Sequence, residues 1–294
     1  MSTTTAAPPA PPVPFRSRWR EARAAGARPV KYAALIAFAV LFLTPVYVLL
    51  VTSFKGLEDI DPSRAWNLPA LWSGEAWSMA WDDLSPALAN SFKLAIPATV
   101  FSTVLGSLNG FVLARWRFPG ADLVFMFFLF GMFIPYQAVM IPLTQLYADI
   151  GFPQGIPRLA FAHIVYGIPI TTLIFRNYYA TVPEELMEAA RMDGAGMLRT
   201  FWSVILPMSA PAFVVCAIWQ FTAIWNDFLF AIFLISNPAD WPVTVALNNT
   251  TGSLVTPFNL QMSGALLASL PTLVIYILLG RYFMRGLMAG ALKG

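Results

Sequence analysis

The sequence predicts an all-α, polytopic membrane protein with six transmembrane helices, on three observations. Of its 294 residues, 58% are hydrophobic and 11% charged, and the mean hydropathy is +0.65; a soluble domain carries about 25% charged residues. Apolar runs at 32–51, 94–114, 123–147, 159–175, 207–235 and 262–280 approach or exceed the roughly 20 residues that cross the hydrocarbon core. The cations also sort onto one side of that six-span scheme, as membrane orientation requires. In lipid every backbone N–H and C=O must be satisfied internally, so these runs are helices; no series of alternating ten-residue segments suggests a barrel.

The elements follow in order. Residues 1–14 (MSTTTAAPPAPPVP) are Pro- and Ala-rich and cannot bury a core, which predicts a disordered tail. Arg16, Arg18, Arg20, Arg23, Arg28 and Lys31 come next and face anionic head groups at about 1 kcal/mol per cation. Residues 1–30 are therefore read as a disordered and then basic cytoplasmic tail, and 31–294 as the membrane domain. The first span is longer than a signal h-region and no small-residue cleavage site follows it. The external loop 52–89 holds Trp66, Trp72, Trp77 and Trp81, either an interfacial aromatic belt or a docking surface.

Arg115 and Arg117 lie between spans two and three. Arg176, Arg191 and Arg199 lie between four and five, and Arg281, Arg285 and Lys293 in the tail. With the six N-terminal cations these make 14 on one side, against Lys55, Arg64, Lys93 and Arg158, four, on the other. Both termini are thereby assigned to the cytoplasm. The connection 236–261 has no Lys or Arg and carries Asn248, Asn249, Thr250, Thr251, Gly252 and Ser253 in a row. It is either a bare external connection or a finger that touches something outside.

The polar groups within the spans are Asn109, Gln137, Gln220, Asn226 and Asp227. An intramembrane acid is costly and by default functional. Asp227 either reaches the outer interface, bonds a neighbouring helix, or lines a polar path with Asn226, Gln137 and Gln220. The lone His163 has no partner at metal-ligand spacing and is read as a helix-contact or surface residue. Cys216 has no second cysteine to pair with and reads as a small apolar residue. No HExxH or paired-cysteine signature occurs. The four lysines follow Val30, Phe54, Phe92 and Leu292, so none belongs to a phosphate-binding Gly-Lys-Ser/Thr loop. The net charge of +3 is spread over span ends and is no nucleic-acid footprint. Uphill movement of a solute would need an ion gradient or a partner's nucleotide hydrolysis. Ion-coupled carriers usually place several ionisable groups in their spans, so one acid favours the partner.

The segment 181–207, TVPEELMEAARMDGAGMLRTFWSVILP, predicts two short helices joined at a glycine break over 181–205. Thr181 and Glu184 have capping-box spacing, and Pro183 suits a first turn. Glu184, Glu185 and Glu188 complement the positive helix end, and Glu188 and Arg191 can pair at i,i+3. Ala189 and Ala190 leave room for another backbone. Gly194 and Gly196 redirect the chain, and Met197, Leu198, Phe201, Trp202 and Ile205 form an apolar stripe that lies on the membrane or under the bundle. A push on this elbow would tilt the fifth span.

Glu188-Ala189-Ala190, Asp193-Gly194-Ala195 and Ile205-Leu206-Pro207 match the EAA loop of binding-protein-dependent ABC importer permeases. Trp225-Asn226-Asp227-Phe228, Ile141-Pro142-Leu143, Arg285-Gly286-Leu287 and the closing AGALKG extend the resemblance over residues 30–294. The chain resembles the maltose-like carbohydrate branch, and its last third, with PVTVALN at 242–248, looks most like glucose- or mannose-type permeases. The resemblance implies type I ABC importer permease architecture, in the cytoplasmic (inner) membrane, and a function in ATP-driven sugar import. It implies a second homologous permease as heterodimer partner, two ATPase subunits and an extracytoplasmic sugar-binding protein. This chain would be no enzyme and hold no cofactor; ATP and Mg would sit on the ATPase. Glu184, Glu188, Ala189, Ala190, Asp193 and Gly194 are the implied ATPase-coupling residues. The alternative is an ion-coupled secondary transporter or channel using Asp227.

Overall fold

A computed structural model describes the backbone of residues 15–116, 118–251 and 257–291, and the side chains of 29–61, 63–116, 118–250 and 257–282. The predicted tail 1–14, Arg117, Gly252, Ser253 and Lys293 lie outside the described residues, as do the side chains of Arg16, Arg18, Arg20, Arg23, Arg28, Thr251 and Arg285. The chain is 82% helical without strands among the described residues, apart from one antiparallel bridge between Lys55 and Trp72.

Helix α1 (Phe15–Ser53) carries the basic stretch and the first span as one rod. Helix α2 (Glu75–Arg115) has 41 residues, where a span at 94–114 was expected. Its N-terminal extension buries Ala76, Ala80, Leu84 and Ala87 along one face, so much of the expected loop 52–89 is helix. The third expected span is two helices, α3 (Ala121–Phe133) and α4 (Tyr136–Asp149), which meet at 98°. The cause is local. Ile134 precedes Pro135 and is forced into extended backbone, φ −70° and ψ 118°, because a proline ring disfavours helix in the residue before it.

Helix α5 (Ile156–Ala180) is continuous. After it come α6 (Glu184–Met192), α7 (Met197–Thr200), a π turn at Phe201–Ile205 and α8 (Leu206–Met208). The expected fifth span 207–235 is also broken. Helix α9 (Ala210–Trp225) leaves the preceding segment at 78°, and α10 (Leu229–Leu234) is a separate short helix. A 3-10 turn (Pro238–Asp240), α11 (Val243–Thr251) and α12 (Phe258–Ala291) complete the chain. Among the described residues, four helices are long and apolar enough to cross a membrane, or up to six if each bent pair counts as one span.

Helices α2 and α5 form the spine. Small residues let them touch: Ser102, Gly106 and Gly110 of α2 face Thr171 and Phe175 of α5. Thr171 Oγ1 donates to the carbonyl of Gly167 or Ser102, at 2.8 and 3.0 Å. In lipid, helices gain little from hydrophobic burial against each other, so close packing and such bonds carry the association. One apolar cluster (Leu94, Ala98, Leu159, Trp225, Phe230, Leu234) fills one half of the bundle. A second (Phe111, Phe175, Tyr179, Met187, Phe201, Ile205) fills the other. Trp225 Nε1 donates to Ala268 O at 2.9 Å, and Ser263 Oγ lies 3.2 Å from Ser53 O, joining α9 and α1 to α12.

A Cβ at Gly110 would lie 2.7 Å from Phe175 Cβ and 2.8 Å from Arg176 N, whereas one at Gly131 meets nothing within 4 Å. Gly110→Ala should therefore destabilise the protein by about 1–3 kcal/mol and lower its unfolding midpoint in detergent, followed by tryptophan fluorescence. Gly131→Ala should leave the midpoint unchanged. Equal midpoints for the two variants would contradict the close α2–α5 approach.

Candidate functional site

The elbow begins differently from the capping box its sequence predicts. Pro183 is the N-cap of α6, at φ −57° and ψ 141°, with no side-chain cap. Thr181 Oγ1 instead donates to Tyr178 O at 2.8 Å, in the last turn of α5. The Tyr178 carbonyl also accepts the Thr181 N–H at 3.0 Å, and a hydroxyl three residues past a helix-end carbonyl has that acceptor nearest to hand. The predicted Glu188–Arg191 pair is not among the ion pairs of the described residues, and both side chains are exposed. Such a surface pair contributes only about 0.2–0.5 kcal/mol.

The glycine break is a Schellman end. Gly194 has φ +73°, its N–H donates to Arg191 O at 3.0 Å, and Ala195 N–H donates to Ala190 O at 2.9 Å. These two bonds satisfy helix-end carbonyls and require a left-handed residue at 194. Glu184, Glu188, Ala189, Asp193 and Gly194 are exposed on the outer face of the elbow, while Met187 and Ala190 are buried beneath it. Of the two alanines predicted to receive a neighbour's backbone, Ala189 is free to do so and Ala190 packs inward. The apolar stripe divides as well. Phe201 and Ile205 are each 1% exposed, whereas Leu198 and Trp202 stay on the surface.

The inner face is bolted to the spine. Arg115, at the end of α2, donates from Nη2 to the carbonyls of Tyr179 and Val182, capping α5 where it turns into the elbow. The Tyr179 hydroxyl shares a 2.6 Å hydrogen bond with Ser107 Oγ, and Tyr178 Oη donates to Met208 O at 2.7 Å. The Phe111 and Phe201 rings sit 5.3 Å apart. Movement of α6 must therefore shift the ends of α2, α5 and the α8–α9 bend together. Arg176 lies over the Phe125 ring at 3.9 Å and 3.6 Å from Asp122, which places the start of α3 at this same end of the bundle.

The four intramembrane polar candidates separate into two kinds. Gln220 is 3% exposed and donates to Ser102 Oγ at 3.1 Å, so it ties α9 to α2. Asp227 turns its carboxylate onto the first turn of α10, 3.4 Å from Phe230 N and 3.2 Å from Ala231 N. His163, read from sequence as a helix contact, lies beside it, with Nε2 3.4 Å from Asp227 Oδ2. Gln137, next to the Pro135 bend, and Asn226, at the end of α9, are the two exposed members. Sequence reasoning missed the His163–Asp227 approach because 64 positions separate the two residues and nothing local marks the pairing.

Comparison with known proteins places this geometry. Residues 102–288 match the family described as binding-protein-dependent transport system inner membrane component. The chain is 35% identical to the xylose/arabinose import permease protein XacI of Haloferax volcanii, over 90% of this chain and 93% of that protein. It is 50% identical over 165 residues to a probable ABC transporter permease of Pyrococcus horikoshii, an alignment that spans 56% of this chain and 60% of that protein. Among solved structures it is similar to a chain of a bacterial ABC transporter involved in import of the acidic polysaccharide alginate. There the TM-score is 0.75 at 22% identity, covering 93% of this chain and 100% of that one, a likeness of fold. An apolar helical bundle, an EAA-type elbow fastened under it and a family match over most of the chain agree, and the protein belongs to the binding-protein-dependent transport system inner membrane component family.

Proposed function

We propose that this chain is one of two permease subunits of an ATP-driven sugar importer, forming half the translocation path and receiving mechanical work through the elbow. The observation that carries the proposal is the two-faced elbow. Its outer face presents Glu184, Glu188, Ala189 and Asp193 to solvent, and its inner face shares one apolar core with α2, α5 and α9. That is the geometry of a lever. The similarity to a xylose/arabinose import permease supports a sugar as cargo, and the distribution of cations supports cytoplasmic termini with the elbow on the cytoplasmic side.

In this mechanism an ATPase dimer, holding ATP and Mg, closes against two elbows, one from this chain and one from a homologous permease. The bolted helix ends move with them and open the path outward towards an extracytoplasmic sugar-binding protein. Hydrolysis reverses the movement. Gln137 and Asn226, the exposed polar pair, line the path. Gln220 and Asp227 hold its walls in place from within the bundle. The Asp227 side chain is 10% exposed and turned onto α10 and not onto open space, which argues against its use as a freely loading ion site, and so against ion-coupled transport.

Four measurements test this reading. Purification in mild detergent should bring down an ATPase and a second permease of similar size; isolation of a lone homodimer would contradict the proposal. Cysteine at Ala189 should cross-link to the ATPase, and cysteine at the buried Ala190 should react far less; equal capture at both positions would put the docking face elsewhere. Gly194→Pro, which removes the bond to Arg191 O and excludes φ +73°, and Glu188→Lys should each cut uptake at least tenfold without changing sugar binding by the external protein. Arg115→Met, which loses two charge-assisted bonds of about 1.5–3 kcal/mol each, should leave ATP hydrolysis in place but lower solute moved per ATP. Normal coupling in that variant would show that the bolt transmits nothing.

A further inference from the structure

Span five breaks twice, and its outer break contains a polar contact that is near but not made. The His163 side chain is 9% exposed and the Asp227 side chain 10%. Nε2 of His163 lies 3.4 Å from Asp227 Oδ2, and it has no hydrogen-bond partner here. The carboxylate spends its oxygens on Phe230 N and Ala231 N at 3.4 and 3.2 Å, at or beyond the long end of the normal N–H···O range. A buried imidazole nitrogen is thus left unpaired beside a carboxylate that is loosely held. An unpaired buried polar group is costly, and such a contact would be strengthened by the low dielectric around it.

The surroundings are set off from the rest of span five by irregular backbone. Helix α10 is six residues long, bounded by non-helical backbone at Phe228 (φ −124°, ψ −41°) and at Ile235 (φ −117°, ψ 111°). Thr244 Oγ1 donates to Asp227 O at 2.6 Å, which ties the break to α11. The Phe230 ring packs on His163 at 5.6 Å, on Tyr166 at 5.2 Å and on Tyr136 at 5.1 Å. Tyr136 starts α4 and precedes Gln137, while Asp227 follows Asn226. A shift of α10 by about 0.5 Å, enough to bring Nε2 to charge-assisted bonding distance, acts on the residues next to both exposed polar positions.

We propose that His163 is a positioning residue: its Nε2 bonds the Asp227 carboxylate in a second conformation of the transport cycle, latching α5 to the outer break of span five, and is released in the conformation described here. The latch sets where α10 stands and, through Phe230, Tyr136 and the chain on either side, the width of the path near Gln137 and Asn226. It rests on the reading of this chain as half of an ATP-driven transporter.

The test uses the assembled transporter with its co-purifying ATPase in lipid nanodiscs. Spin labels on cysteines at Phe161 of α5 and Phe233 of α10, both exposed, are introduced in a Cys216→Ser background. Distances are recorded without nucleotide and with Mg-ATP and vanadate. The unaltered His163 protein should gain a shorter distance with nucleotide. His163→Leu should reduce that population at least tenfold and lower kcat for ATP hydrolysis with an unchanged KM for ATP. His163→Gln, which keeps an N–H donor near the Nε2 position, should restore both to within about threefold. Should His163→Leu fail to assemble, Asp227→Asn, which discharges the carboxylate but retains an amide acceptor for α10, must show the same loss. A nucleotide response equal in His163 and His163→Leu proteins would overturn the latch alone. Absence of any co-purifying ATPase or nucleotide response would overturn the transporter reading beneath it.

Discussion

A helix that stops within a bilayer leaves amides and carbonyls that water cannot reach, and this constraint governs each place where the protein bends. Among the described residues, several of these interruptions are closed by a nearby side chain. Arg115 takes the carbonyls of Tyr179, in the last turn of α5, and of Val182, just beyond it. Tyr178 donates to Met208 O, and Ser209 Oγ to Ile205 O at 2.5 Å, both carbonyls lying just before the 78° bend. Asp227 accepts from the first amides of α10. Irregular backbone at membrane depth survives only with such internal partners. The residues that close a break therefore also decide where the bundle can flex.

The same constraint explains why the elbow can serve as a lever and not as a loose surface helix. A nine-residue helix such as α6 is marginal on its own. Met187 is set into a core with Phe111, Phe175 and Tyr179, Ala190 is buried beside it, and the exit is fixed by a left-handed glycine. The segment then reaches span five through a π turn and a proline-bearing corner, without a flexible linker. Force applied to the outer face has few soft degrees of freedom in which to dissipate. At the opposite end, the first turn of the short helix α10 meets Asp227 at distances near the long limit of bonding.

Much of this was legible in the residues, for reasons that differ between elements. Composition and run length disclose a helical membrane protein because lipid permits few alternatives. Glu188-Ala189-Ala190 and Gly194 disclose the elbow because both of its faces and its turn are local in sequence. The 98° corner at Pro135 left a local trace, a proline inside an apolar run, but hydropathy alone reads through it. The N-terminal extension of α2 was hidden by Pro86 and the acidic pair Asp82 and Asp83, although Ala76, Ala80 and Leu84 carried the helical spacing. Thr181 had capping-box spacing with Glu184, but its hydroxyl is spent on the end of α5 and Pro183 takes the N-cap of α6. Ala190 facing inward and His163 meeting Asp227 are decided by tertiary packing, which a single sequence does not display.

The central claim is that work done on the elbow reaches the polar outer part of span five through the bundle. It is tested most directly by labelling a cysteine at Asn226 with a membrane-impermeant thiol reagent in intact cells, before and after ATP depletion. The rate should change with ATP in the chain with an intact elbow and become insensitive to ATP when Gly194→Pro is added. An undiminished ATP response with the elbow broken would contradict the account.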